Sequence, residues 1–249
     1  MVKYGLKLWS TNCDLIKKAN VIIKDGFFDY VELMVVPKTE IAPFQEIDVP
    51  YIIHITSERW GLNIADKKKE NNNLETINQC INWADTLGAE YLILHSGFGE
   101  INNAKEFLQK ISDERILIEN MPRVGMSNED MIGYSPKQIK DIIGDRFSFC
   151  LDLNHAIKAS ISLGRDYKEF VKEFLKLNPK VIHISDGNLD TEKDEHLSIG
   201  AGDYDFKFLA DCIGKSGVEY MTIETPKINL NSLKTDLENL KKIKEYLQF

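Results

Sequence analysis

Eight short apolar runs recur along the chain, and between them lie amphipathic segments long enough to be helices. The runs are YGLKLW near Tyr4, FDYVELMVV from Phe28, VPYIIHI from Val49, EYLILH from Glu90, RILIEN from Arg115, FSFCLD from Phe147, KVIHIS from Lys180 and EYMTIE from Glu219. Near-continuous apolar strands are buried on both faces, as they are in a parallel sheet covered by helices. The intervening segments supply that cover. In NLETINQCINWADTLG, residues Leu74, Ile77, Ile81, Ala84 and Leu87 share one helical face, and Gly88 can close the C-terminus. Leu233, Leu237, Leu240 and Ile243 form a similar stripe between Asn231 and Tyr246. Eight strand and helix alternations in 249 residues predict an α/β fold, a single (β/α)8 TIM barrel spanning residues 1–249 as one domain. The fold alternative is an open doubly wound sheet, but LWSTNCD rather than a glycine-rich phosphate loop follows the first strand. KKKENNN at Lys67 reads as a solvated loop or a helix start.

Composition bounds location and partners. A hydrophobic content of 43% is enough for one large core. The N-terminal MVKYGLKLWS has no apolar signal core, and no apolar stretch nears the ~20 residues a membrane helix needs. The expectation is a soluble, cytoplasmic protein with no membrane association. Four scattered cysteines, Cys13, Cys80, Cys150 and Cys212, lack CxxC spacing and suggest reduced thiols, with Cys150 as strand core. A net charge of −8 argues against an overall basic nucleic-acid surface, although bound divalent cations would offset part of it. No protein partner can be inferred.

The strands end in an unusual way. The third ends in His54, the fourth in His95, the fifth in Glu119, the sixth in Asp152, the seventh in His183 and the eighth in Glu224. In a parallel barrel all these ends share one face, the face that carries barrel active sites. His155 follows strand six, and Asp194 and His196 lie in the loop after strand seven, so nine metal-type side chains crowd one mouth. All five histidines of the chain are in this set. A lone strand-end histidine is most often a core or rim residue, but buried carboxylates are rare without a cationic partner. Arg115, Arg146 and Lys180 sit near strand starts, at the wrong end to pair with them. Carboxylates and imidazoles massed together favour divalent metal over ion pairs.

These residues carry a family resemblance. HSGFGE at His95, IEN at Glu119, LDLNHA at Asp152, VIHISDGN at His183, DEHLSIGAGD at Asp194 and IETP at Glu224 resemble the xylose isomerase-like TIM barrels, AP endonuclease family 2. The resemblance covers essentially the whole chain, and its ligand set is similar to that of endonuclease IV. It implies one metal on His54, His95 and Glu119, and a second sharing Glu119 and taking Asp152, His183 and Glu224. A third would take His155, Asp194 and His196. Up to three divalent metals follow, zinc favoured by the imidazoles and manganese fitting the carboxylate-rich centre. Metals so held activate water and stabilise charge on phosphate. The implied activity is hydrolysis of a phosphodiester in abasic DNA, with Glu119, Asp152 and Glu224 as catalytic carboxylates and Asn120 as a supporting group.

The chain departs from endonuclease IV in places. Strand one reads LKLWSTN instead of the usual His-Val-Ser motif, MPRVGM replaces a Gly-rich segment after Asn120, and Glu195 stands where an Arg suited to phosphate is usual. A Glu there repels phosphate unless it points away. Arg59, Trp60, Arg123 and Lys158 are candidates to line a groove. The second reading is a sugar or sugar-phosphate isomerase or epimerase using one metal on Glu119, Asp152, His183 and Glu224, with Glu119 and Glu224 exchanging a proton beside a carbonyl. Glu32 in FDYVEL favours that reading, or is a polar layer of the barrel. A non-catalytic metal-binding barrel is the third.

Overall fold

A computed structural model describes residues 2–227 and 231–247. Eight parallel strands close into a barrel in sequential order, β1 (Lys3–Trp9), β2 (Tyr30–Met34), β3 (Tyr51–His54), β4 (Leu92–His95), β5 (Ile116–Glu119), β6 (Ser148–Asp152), β7 (Val181–Ile184) and β8 (Tyr220–Ile223). Helices surround them, which establishes the expected (β/α)8 architecture and excludes the open sheet. KKKENNN becomes a 3-10 turn over Lys67–Lys69 that leads into the helix Glu70–Leu87, whose C-cap Gly88 takes the left-handed φ of 64°. The final stripe is the helix Lys234–Tyr246, with Leu240 and Ile243 buried.

The two-residue repeat of a strand decides what each barrel layer contains. Outward-facing Ile53, Leu94, Ile118, Leu151, Ile182 and Ile223 join the large core beneath the helices. Inside, a separate apolar layer of Tyr30, Ile52, Ile93, Leu117, Cys150, Val181 and Tyr220 fills the barrel. Two residues further along the same strands come Glu32, His54, His95, Glu119, Asp152, His183 and Thr222, all but His95 at most 1% exposed. The barrel is therefore apolar at one level and ionisable at the next. Gly5 makes room for the lower level, since a Cβ there would overlap the Tyr30 ring.

Among the described residues no helix is long and apolar enough to cross a membrane.

Candidate metal centre

Strand ends and the turns that follow them place the site. His54, His95, Glu119 and Asp152 are the last residues of β3 to β6, His183 is next to last in β7, and Glu224 directly follows β8. Asp152 also caps the helix Leu153–Ser162, its Oδ1 accepting from the His155 backbone N–H at 2.7 Å. That cap puts His155 on the helix's first turn, facing back into the mouth. Asn120 clamps the Asp152 backbone by donating to its carbonyl at 2.9 Å and accepting from its N–H at 2.8 Å. The supporting role expected of Asn120 is thus a backbone clamp. Asp194 and His196 come from the loop after β7, which is folded back by paired Asp186 and Leu197 backbone bonds. His196 has φ of 47°, a costly conformation for a residue with a side chain.

Each imidazole has one ring nitrogen on an acceptor that holds it. His54 Nδ1 lies 2.8 Å from the Ile55 carbonyl, and His95 Nδ1 lies 2.8 Å from Glu58 Oε2. His155 Nδ1 is 2.9 Å from the Asn120 carbonyl, His196 Nδ1 is 3.1 Å from the Glu224 carbonyl, and His183 Nε2 is 3.0 Å from Glu32 Oε2. Acceptors of this kind fix the neutral tautomer and leave the other nitrogen's lone pair aimed into the mouth.

Those free nitrogens fall into sets around carboxylates. His54 Nε2 and His95 Nε2 face Glu119 Oε2 at 3.2 and 3.3 Å. His183 Nδ1 faces Glu119 Oε1 at 3.2 Å, Glu224 Oε2 at 2.8 Å and Asp152 Oδ2 at 3.8 Å. Asp194 Oδ2 lies 3.0 Å from His196 Nε2 and 3.4 Å from His155 Nε2. Glu119 thus divides its two oxygens between two sets. Potential ligand atoms of His54, His95 and Glu119, of Glu119, Asp152, His183 and Glu224, and of Asp152, His155 and His196 each lie within 4.8 Å of one another. The residues fit divalent metals on a further ground. Glu224 Oε2 is a buried oxygen that accepts no hydrogen bond even though His183 Nδ1 is 2.8 Å away, as expected of two lone pairs turned toward a common cation.

Without metal, the carboxylates draw protons onto the imidazoles. Burial opposes the charge on His155 and His196, yet Asp152 and Asp194 raise the first to about 9 and Asp194 raises the second to about 10. His95 and His183 are raised well above the ordinary value against burial, by Glu58 and Glu119 for His95 and by Cys150, Glu32, Glu119 and Glu224 for His183. Burial and the Lys7 ammonium lower His54. Burial raises Asp152, while at Glu119 burial is the largest single influence but the charges of His183 and His95 and the hydrogen bonds of His183 and His54 together outweigh it and lower the carboxyl. A metal entering the mouth competes with these protons.

All nine expected ligand residues converge. Glu195 meets the condition under which it does not repel phosphate: it points away, accepting from Lys158 Nζ at 2.6 Å, the Asn188 backbone N–H at 2.9 Å and Asn188 Nδ2 at 2.8 Å. Lys158 is correspondingly buried, also donating to the Asn188 and Thr191 carbonyls, so it does not line a groove. Arg123 donates to the Ser162 carbonyl, and Arg59 stacks over Trp60 in the 3-10 turn Glu58–Trp60. Two residues escape sequence reading. Glu58 meets His95 across a 37-residue separation that no local pattern reveals. Lys7 is buried opposite Glu32, a placement that the alternation of Gly5 and Lys7 in β1 contains.

The family model described as xylose isomerase-like TIM barrel matches residues 41–247. The chain belongs to the xylose isomerase-like TIM barrel family. Within that family it is similar to a protein of Mycoplasmopsis synoviae (strain 53) named probable endonuclease 4, 29% identical over 222 residues that cover 80% of this chain and 78% of the relative. Two solved structures superpose over nearly all of this chain. A D-tagatose 3-epimerase-like protein gives a TM-score of 0.75 at 20% identity, covering 99% of this chain and 97% of its own. Endonuclease IV from Thermus thermophilus gives 0.74 at 19% identity, covering 99% of both. The two scores are almost equal and speak only for the shared barrel. Family and ligand cage together support a metal-dependent enzyme of this fold.

Proposed function

We propose that the chain is an endonuclease IV-like phosphodiester hydrolase that holds three divalent metals, with zinc preferred, and acts on abasic DNA. One observation carries this reading: all five imidazoles present a held tautomer to a shared mouth, their free nitrogens sort into sets that use eight of the nine expected ligands, with Asp152 beside His155 and His196, and Asp194 meets those two imidazoles at 3.4 and 3.0 Å. A one-metal enzyme needs only Glu119, Asp152, His183 and Glu224, so His54, His95, His155, Asp194 and His196 would be surplus. The charges agree with three metals. Six buried or half-buried carboxylates, Glu32, Glu58, Glu119, Asp152, Asp194 and Glu224, surround the imidazoles, and among the described residues Lys7 is the permanent cation paired with this group. Three divalent ions plus Lys7 would slightly exceed six negative charges, which suits an anionic substrate; one divalent ion would leave the site strongly negative. Similarity to a relative named probable endonuclease 4 supports the same reading.

The bound metals would supply water activation and neutralisation of phosphate charge. The chain's own residues orient them: Glu119 splits its oxygens between two sets, Asp152 and Glu224 complete the central one, and Asp194 joins the outer imidazoles. Phosphate is not repelled by Glu195, whose charge is spent on Lys158 and Asn188. A second reading, a sugar or sugar-phosphate isomerase or epimerase, is favoured by the self-sufficient group Glu119, Asp152, His183 and Glu224. Elemental analysis of protein purified without added metal or chelator, paired with assays on an abasic oligonucleotide and a ketose panel, separates the two. About three metals per chain together with strand incision is the expected result. A single metal with epimerised ketose and no incision would establish the isomerase.

A further inference from the structure

Lys7 is a wholly buried lysine on a strand whose adjacent Leu6 and Leu8 belong to the apolar core. A buried ammonium is costly, and an apolar side chain would pack the same space more cheaply unless the charge serves something. Its contacts are specific. Nζ donates to Glu32 Oε1 at 2.6 Å and lies 3.0 Å from Glu224 Oε1. The other oxygen of Glu32 accepts from Thr222 Oγ1 at 2.5 Å and lies 3.0 Å from His183 Nε2. Lys7 therefore connects the carboxylate that holds His183 to the carboxylate Glu224, whose remaining Oε2 is the unpartnered atom facing His183 Nδ1.

We propose that Lys7 is a positioning residue for the central metal: it occupies Glu224 Oε1 so that Oε2 alone is offered to the ion, and its charge keeps that ion electron-poor. This rests on a central metal at Glu119, Asp152, His183 and Glu224, and it holds whether the substrate is DNA or a sugar. The two effects share a direction. Losing the ammonium removes a repulsive charge near the metal and frees a second carboxylate oxygen, so the metal is held more tightly and polarises its substrate less. A purely structural lysine gives the opposite sign, because a disordered ligand set releases metal faster.

The experiment compares wild type, Lys7→Met and Lys7→Arg, each loaded with zinc and then with cobalt. Elemental content, the rate of metal release to an excess of chelator, and the visible cobalt spectrum are recorded. Lys7→Met should retain the wild-type metal count and release its central metal at least about tenfold more slowly. Its cobalt band should weaken as Glu224 becomes bidentate and the coordination number rises. Lys7→Arg should restore release to within about threefold of wild type, since the charge is kept. Turnover of Lys7→Met on whichever substrate is active should fall in kcat more than KM rises. Unchanged or faster release, or an unchanged cobalt spectrum, overturns the proposal. If Lys7→Met does not fold, Lys7→Gln removes the charge while keeping a hydrogen-bond donor, and the same release rate decides. Metal release is read without any substrate, so absence of DNA incision would count against the hydrolase and leave this test intact.

Discussion

The two ends of the barrel are built from the same strands and have opposite chemistry. At the N-terminal end Tyr30, Tyr91 and Tyr220 pack edge to face at 5.4 and 5.7 Å between centroids, and Lys3, Tyr220 and Glu90 close the rim with hydrogen bonds. At the C-terminal end, two residues along the strands, the positions that would continue the apolar filling hold imidazoles and carboxylates instead. An apolar layer lowers the free energy by leaving water, whereas an ionisable layer at the same depth is unfavourable until something neutralises it. One end therefore supplies stability, and the other consumes some of it to hold cations. Glu119 tests this most severely, since its two oxygens face two different ligand sets. Glu119→Gln should lose metal and reduce turnover by about a thousandfold or more, given what a shared metal ligand contributes. Metal content and activity measured on one preparation check both; full occupancy with full turnover would remove Glu119 from the centre.

Stripping the metals sharpens the contrast by pH. In stripped protein His155 and His196 are raised to about 9 and about 10, above the ordinary imidazole value near 6.5. Groups raised on folding contribute stability that is complete below their unfolded pKa and is lost as pH rises through the folded one. Stripped protein should thus lose stability between pH 6.5 and about 10, while metal, competing with fewer protons, binds better. The gap in Tm between loaded and stripped protein should widen by several degrees from about pH 6.5 to about pH 9. A gap that narrows over that range would show that these imidazoles are not ligands.

Much of this layering is written locally. The eight strands and the polar residue at or beside the end of six of them are visible because strand period and barrel topology together send every strand end to one face. Asp152 and His155 are legible as a pair for the same reason, a cap and the first turn it starts. Glu58 is not, because its partner His95 is fixed by how a loop folds over the mouth. Glu195 misleads because its direction depends on Lys158 and Asn188, brought to it by the fold rather than by spacing. Lys7 hides in LKLW, where a lysine reads as solvated until the register with Glu32 places it inside.

The next two effects are smaller and lie on either side of the divide. Glu58→Gln leaves a side chain of the same size beside His95 but removes the carboxylate that fixes its ring, so metal affinity at the His54, His95 and Glu119 set should fall by about 10- to 100-fold. Competition with a graded series of chelators measures it, and the central metal should stay bound. Loss of every metal at once would mean that the sets are not separable. In the apolar layer, Gly5→Ala places a methyl group against the Tyr30 ring. Overpacking of this kind costs about 1–3 kcal/mol, read as a lower midpoint in urea with the slope unchanged. Unchanged stability would show that the Tyr30 ring shifts freely and that this layer is less tightly packed than its contacts indicate.

Tyr220→Phe should have the smallest effect and is the direct test of whether the two ends act separately. The substitution keeps the ring that packs on Tyr30 and Tyr91 and deletes only the hydroxyl, which accepts from Lys3 Nζ at 2.7 Å and donates to Glu90. Lys3 is solvent-exposed, so water can take over the lost contact, and the cost should stay within about 1 kcal/mol. Metal content and release rates should match wild type, because no hydrogen bond of this hydroxyl reaches a ligand of the cage. The path that does run upward passes through Tyr30, whose hydroxyl is 2.8 Å from Thr222 Oγ1, itself bonded to Glu32. If Tyr220→Phe altered metal release, the rings at the lower end would have to be moving Tyr30 and, through Thr222, the holder of His183. The apolar layer would then be part of the metal site's support rather than an independent foundation beneath it.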